Sequence, residues 1–151
     1  MKKKIIVVDD EPLIGALMKI IIEEDQELEM TQIATGKAEF LNLVGQDTFD
    51  AALIDISVGG REEGIELLHI MKYKAIKIPT VMLSAHDELH YALKCLLAGA
   101  RGYINKKYIC TEVIMCLKEV LNGQLYVSGD KGNEIIKHYK KLTAPVNMES
   151  Q

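Results

Sequence analysis

Short apolar runs alternate along the chain with longer amphipathic stretches, and that rhythm predicts the architecture. Lys4–Asp9 (KIIVVD), Phe49–Asp55 (FDAALID), Ile78–Ser84 (IPTVMLS) and Ala100–Asn105 (ARGYIN) each read as a strand buried on both faces, as in a parallel sheet. Glu27–Ile33 (ELEMTQI) alternates less cleanly and reads as a strand nearer an edge. Between them lie helical patterns. Pro12–Glu24 puts Leu13, Leu17, Ile20 and Ile21 on one stripe, with Pro12 suited to a first turn. Lys37–Val44, Glu63–Tyr73 and Asp87–Leu97 follow, the last with Gly99 as its stop. Thr111–Leu121 has the clearest helical period, with Thr111 as a candidate cap and Asn122-Gly123 as its end.

Strands alternating with helices in this way imply an α/β fold of βαβ units, with right-handed crossovers and helices on both faces. The expectation is five parallel strands flanked by five helices. After Gly123, Gln124–Ser128 is short and mixed, and Asn133–Leu142 reads as one further C-terminal helix. The organisation expected is a domain over residues 1–123, an extension over 124–142 and a frayed tail over 143–151.

Composition narrows the class. With 151 residues, 48% of them hydrophobic and 26% charged, the chain can bury a core without staples and is not a disordered segment. No apolar run is long enough to span a bilayer, and Asp9-Asp10-Glu11 ends the opening apolar stretch too early for an export signal, so a cytoplasmic location is expected. A net charge of −4 argues against a nucleic-acid-binding surface. Lys131–Lys141 is locally basic, yet without interleaved base-reading residues it reads as a solvated linker helix. Cys95, Cys110 and Cys116 have no ligand spacing and read as reduced thiols acting as small core hydrophobes. Met18, Met71, Met82 and Met115 read as core filler, and His69, His90 and His138 as helix-surface residues.

The candidate chemistry sits at strand ends. Asp9, Asp10 and Asp55 fall at the carboxyl ends of buried strands, where open sheets of this kind place their ligands. Converging carboxylates repel one another unless a cation intervenes, and hard oxygen donors suit Mg²⁺. Ser84 and Lys106 end two other strands and add a hydroxyl and a fixed positive charge. A nucleophilic carboxylate, a metal nest, a hydroxyl and an ammonium are sufficient for phosphoryl transfer.

Ile5–Pro12 (IIVVDDEP), Ala52–Asp55 (ALID), Val81–Ala85 (VMLSA) and Gly99–Lys106 (GARGYINK) resemble, in order, the receiver domains of bacterial two-component response regulators, from about Lys3 to Gly123. The resemblance implies a flavodoxin-like sheet of order 2-1-3-4-5 and an aspartate phosphorylated by a sensor histidine kinase or phosphotransfer protein. Carried over, Asp55 is the phospho-acceptor, Asp10 ligates Mg²⁺ directly, Asp9 through water, and Ser57 through its backbone carbonyl. Ser84 bonds the phosphoryl group and Lys106 pairs with it. Tyr103 is the rotating aromatic that reports the state, and Ser57 and His86 flank the path of hydrolytic water. Such a module catalyses only its own phosphorylation and slow dephosphorylation, and its output is a switched surface, with homodimerisation on phosphorylation. No membrane partner and no direct contact with nucleic acid are expected of this chain.

Gly99–Tyr103 and the segment Asn122–Ser128 look most like receivers of the LuxR/NarL-type subfamily, which usually carry a helix-turn-helix domain. An alternative is therefore the regulatory half of a DNA-binding transcriptional regulator. A Mg²⁺-dependent phosphohydrolase and a degenerate receiver regulated only by partners are further alternatives. The family usually has Met-Pro after the acceptor and a glycine eight residues on. Here Ile56–Arg61 lacks the proline and Gly64 comes one residue late, which reads as an insertion in a loop made flexible by Gly59-Gly60.

Overall fold

The computed structural model describes residues 1–60, 62–85 and 89–145. The first half runs β1 (Lys3–Val8), α1 (Pro12–Glu23), β2 (Leu28–Ala34), α2 (Lys37–Gln46), β3 (Ala51–Asp55) and α3 (Glu63–Tyr73). The second half runs β4 (Thr80–Ser84), α4 (Leu89–Leu97), β5 (Gly102–Asn105), α5 (Ile109–Leu121), β6 (Tyr126–Val127) and α6 (Gly132–Thr143). All neighbouring strands pair in parallel, in the order β2-β1-β3-β4-β5-β6.

The sheet therefore has six strands where the sequence pattern gave five, and the described chain has six α-helices. A two-residue strand is too short to show a period, which is why β6 is invisible in the sequence. Backbone bonds hold it: Tyr126 N–H donates to the Arg101 carbonyl at 3.1 Å and Ser128 N–H to that of Tyr103 at 2.9 Å. The Ser128 hydroxyl then accepts from Asn105 N–H at 2.9 Å, so the extension locks onto the end of β5. Gly132 opens α6 so close to the Val127 carbonyl that a Cβ would collide with it.

The uneven alternation of β2 also has a cause. Ile5 pairs with Met30 and Ile6 with Gln32, leaving Thr31 as an extra residue in the edge strand.

Alternate residues of the central strands feed two separate cores. Ile5, Val7, Leu53, Val81 and Leu83 pack with α1 and α5 through Met18, Ile22, Val113 and Leu117. Ile6, Val8, Ile54 and Met82 pack on the other face with Phe40, Leu67, Met71 and Leu96 from α2, α3 and α4. Ile135, Ile136 and Tyr139 of α6 join this second core from outside.

Several local expectations are corrected. Thr111 is not the cap of α5, which begins at Ile109 after a 3-10 turn over Lys106–Tyr108; Thr111 Oγ1 donates instead to the Tyr108 carbonyl at 3.3 Å. The turn is capped by Asn105, whose side chain accepts from Lys107 N–H at 3.0 Å. Met18, Met71 and Met82 are buried, but Met115 is 59% exposed. Cys95 and Cys116 are buried, and burial pushes the Cys95 thiol up to about 12, whereas Cys110 is exposed. The predicted start of the fourth helix at Asp87 lies outside the described residues; within them α4 begins at Leu89.

Candidate functional site

β1, β3, β4 and β5 all deliver their last residues to one rim of the sheet. Asp9 follows β1 directly, its N–H donating to the Ala34 carbonyl at 3.0 Å. Its Oδ1 accepts the Glu11 N–H at 2.8 Å, and Glu11 is in turn the N-cap residue ahead of Pro12. The turn that starts α1 therefore fixes the Asp9 carboxylate. Asp55 is the last residue of β3, with its Oδ1 accepting both the N–H and the hydroxyl of Ser57 at 3.2 Å. Asp9 and Asp55 are 1% and 2% exposed, a burial that charged groups accept only when paired or bound to a cation.

Among the described residues, one ammonium serves them. Lys106, the first residue of the 3-10 turn, places Nζ 3.4 Å from Asp55 Oδ2, 3.5 Å from Asp9 Oδ2 and 3.1 Å from Glu11 Oε1. Burial alone would lower its pKa, but Asp55, Glu11 and Asp9 outweigh that and raise it, so Lys106 stays charged at neutral pH. Asp9 moves the other way for an acid. Burial raises its pKa above 3.8, and Asp55 adds to the rise, while the Glu11 N–H and Lys106 offset only part of it. Asp9 Oδ2 is fully buried without a hydrogen-bond partner among the described residues.

Carboxylate oxygens of Asp9, Glu11 and Asp55 lie within 4.8 Å of one another. An orphaned buried oxygen in a set of hard oxygen donors fits a magnesium ion.

Of the residues singled out in the sequence, Asp9, Asp55 and Lys106 come together at this rim. Asp10 is next in the chain and exposed, and the carboxylate that meets Lys106 beside Asp9 and Asp55 is that of Glu11. Ser84 ends β4, is 1% exposed and stands in register with Asn105. Ser57 is exposed, and its carbonyl accepts from Gly60 N–H at 3.0 Å within the loop after Asp55. That loop uses both glycines: Gly59 has φ of 75° and Gly60 of 139°, conformations that a side chain disfavours. Its other side is pinned by Ile56 and Val58, which are 2% and 1% exposed. Tyr103 is already buried in the second core at 5% exposure. His86 lies outside the described residues.

Sequence reasoning missed two participants. In the sequence Glu11 only helps Asp9 and Asp10 to end the opening apolar stretch, and the fold is what brings its carboxylate to Lys106. For Ser57 the sequence suggests a carbonyl ligand and a place beside hydrolytic water, but not that its N–H and hydroxyl both donate to Asp55, the N–H bond being the usual turn of an aspartate with the residue two on.

Gly64, the second residue of α3, sets its backbone against the Asp55 carbonyl, where a Cβ would clash, and its N–H donates to the Ile56 carbonyl at 2.7 Å. The late glycine thus still seats α3 beneath the candidate acceptor.

Comparison with known families decides the identity. Residues 5–118 match the response regulator receiver domain. The chain belongs to that family. Receiver domains are the phosphoryl-accepting signalling modules of two-component systems. Among curated proteins, the chain is 28% identical over 151 residues to the transcriptional regulatory protein DegU of Brevibacillus brevis, covering 99% of this chain and 63% of DegU. It is 26% identical over 126 residues to the response regulator UvrY of Escherichia coli, covering 83% of this chain and 57% of UvrY. The chain thus spans about six-tenths of the length of these relatives. Among solved structures, a Francisella response regulator receiver domain superposes with a TM-score of 0.73 at 27% identity, covering 81% of this chain and 98% of that one. A LuxR-family response regulator from Aurantimonas shares the fold with a TM-score of 0.79 at 21% identity, covering 96% of this chain and all of the other. No helix among the described residues is long and apolar enough to cross a membrane.

Proposed function

We propose that Asp55 is the residue of this receiver that takes the phosphoryl group. The reading is carried by one observation: Asp55 ends its strand buried, with Oδ2 facing the ammonium of Lys106 and Oδ1 held by Ser57. Asp55 attacks the phosphorus of a phosphohistidine or of a small acyl phosphate. A new P–O bond forms as the P–N or P–O bond to the donor breaks, its electron pair leaving with the imidazole, which is then protonated, or with the carboxylate. Lys106 supplies fixed charge to the transferred oxygens, and Ser84, the last residue of the neighbouring strand, donates to them.

Asp9 and Asp55 are the buried oxygens that would hold Mg²⁺, with the exposed Asp10 and the Ser57 carbonyl completing the set that the family resemblance implies. The ion supplies the further positive charge that the transferred oxygens need. The donor is a sensor histidine kinase or phosphotransfer protein, the setting is cytoplasmic, and the output is a switched protein surface, with homodimerisation on phosphorylation. Phosphorylation takes Asp55 from about −1 to about −2 and adds strong acceptors, which is the bias on that surface. Tyr103, already packed inside, enters this account as part of the core that the switch must move.

Intact-mass measurement after incubation with Mg²⁺ and acetyl phosphate tests the assignment. One phosphoryl group per chain is expected, and none for Asp55→Asn or with chelator present. Uptake by Asp55→Asn at the wild-type rate would overturn it.

A second reading is favoured by the relatives, which include regulators named as transcriptional. In it the segment through α6 leads to a DNA-binding output domain.

A further inference from the structure

Glu11 roots beside the site and folds back over it. Its N–H is fixed on Asp9 Oδ1 at 2.8 Å, while its side chain, 60% exposed, reaches across the rim as a hinged arm. Of the three acids around Lys106 it makes the shortest contact, 3.1 Å against 3.4 Å for Asp55 and 3.5 Å for Asp9. The buried Asp9 Oδ2 meanwhile has no hydrogen-bond partner among the described residues. One ammonium is thus divided among three carboxylates, and the most exposed of the three holds it closest.

We propose that Glu11 is the resting counter-ion of Lys106, a positioning residue that an incoming phosphoryl group must displace. This rests on the reading of Asp55 as acceptor. When Asp55 forms its bond to phosphorus and the donor leaves with its electron pair, the transferred oxygens bring negative charge to the place where Lys106 now meets Glu11. Glu11 and the transferred oxygens then compete for an ammonium already shared, and like charges held this close repel. Glu11 gives way at small cost, because its arm is in water for most of its surface and no packing is broken. Asp9 and Asp55 are buried and cannot move aside in the same manner. Glu11 therefore sets how readily the site admits an anionic donor, while leaving the bond-making step to Asp55.

The full chain, at saturating Mg²⁺ and over a range of acetyl phosphate concentrations, tests this through the split between half-saturation and maximal rate. Glu11→Gln is expected to lower the half-saturating donor concentration about two- to fivefold, the scale of a partly exposed ion pair, with little change in maximal rate. Glu11→Asp keeps the charge but shortens the arm, and is expected to shift half-saturation the same way. Orthophosphate titrated by NMR should bind both variants tighter by a similar factor, with thermal midpoints near wild type. An unchanged or higher half-saturation in both variants overturns the proposal. Slower uptake coupled to weaker Mg²⁺ binding also overturns it, and makes Glu11 a metal ligand instead. If the wild-type chain takes up no phosphate, the acceptor reading of Asp55 has failed, a result separate from either of these.

Discussion

The interior of the sheet and its carboxyl rim are built from the same strands to opposite rules. Val8 and Asp9 are neighbours, 0% and 1% exposed, and so are Ile54 and Asp55, 0% and 2% exposed. The aliphatic residues gain by leaving water, about 1.5–3 kcal/mol for each full side chain. The carboxylates lose by it, and the rim compensates them in part with an ammonium and a few N–H donors, while Asp9 Oδ2 has no hydrogen-bond partner among the described residues. Stability is made in the interior and partly given back at the rim. Regions that are costly to keep in the resting state are those a bound ion or a new covalent group can change most.

Three substitutions probe that contrast. Leu53→Ala, on the fully buried middle of β3, should cost about 2–5 kcal/mol in urea unfolding, since the packed strands around it cannot close the cavity. Loss below about 1 kcal/mol would mean that the interior is not the source of stability. Gly64→Ala forces a methyl against the Asp55 carbonyl, and should destabilise by about 1–3 kcal/mol while impairing phosphate uptake. A variant of full stability and full uptake would remove the close seating of α3 from the account.

The third, Asp9→Asn, should act in the opposite direction. Because the folded-state pKa of Asp9 is raised, its favourable contribution is complete below the unfolded pKa and is lost as pH rises through the folded one. The ionised group therefore weighs against the fold at neutral pH. Replacing it should stabilise the metal-free protein at neutral pH, with the gain vanishing in acid. Lys106 gives the complementary sign: its raised pKa contributes stability at neutral pH that is lost only in the alkaline range, as pH rises through its folded value. A urea series across pH, run on the wild type and on Asp9→Asn, checks the two windows together.

How much of this was legible in the sequence follows from the same physics. β1, β3, β4 and β5 were found within two residues at either end because strands buried on both faces are continuous apolar runs with polar ends. Their ends also marked Asp9, Asp55, Ser84 and Lys106 as rim residues. β6 was missed because its pairing depends on the Arg101 and Tyr103 carbonyls rather than on any pattern of its own. The start of α5 was misjudged because Thr111 has the chemistry of a cap, whereas Asn105, ending the preceding strand, caps the short turn that leads into the helix. Glu11 and Ser57 were underread because long-range reach in one case, and a local turn in the other, set what their side chains meet.

The central claim is that the rim carries a charge conflict which a divalent ion relieves. Thermal unfolding of the full chain against Mg²⁺ at neutral pH tests it most directly. The wild-type midpoint should climb with Mg²⁺, while Asp9→Asn should start higher and climb much less. A wild-type midpoint indifferent to Mg²⁺, with Asp9→Asn less stable than wild type in its absence, would contradict the account.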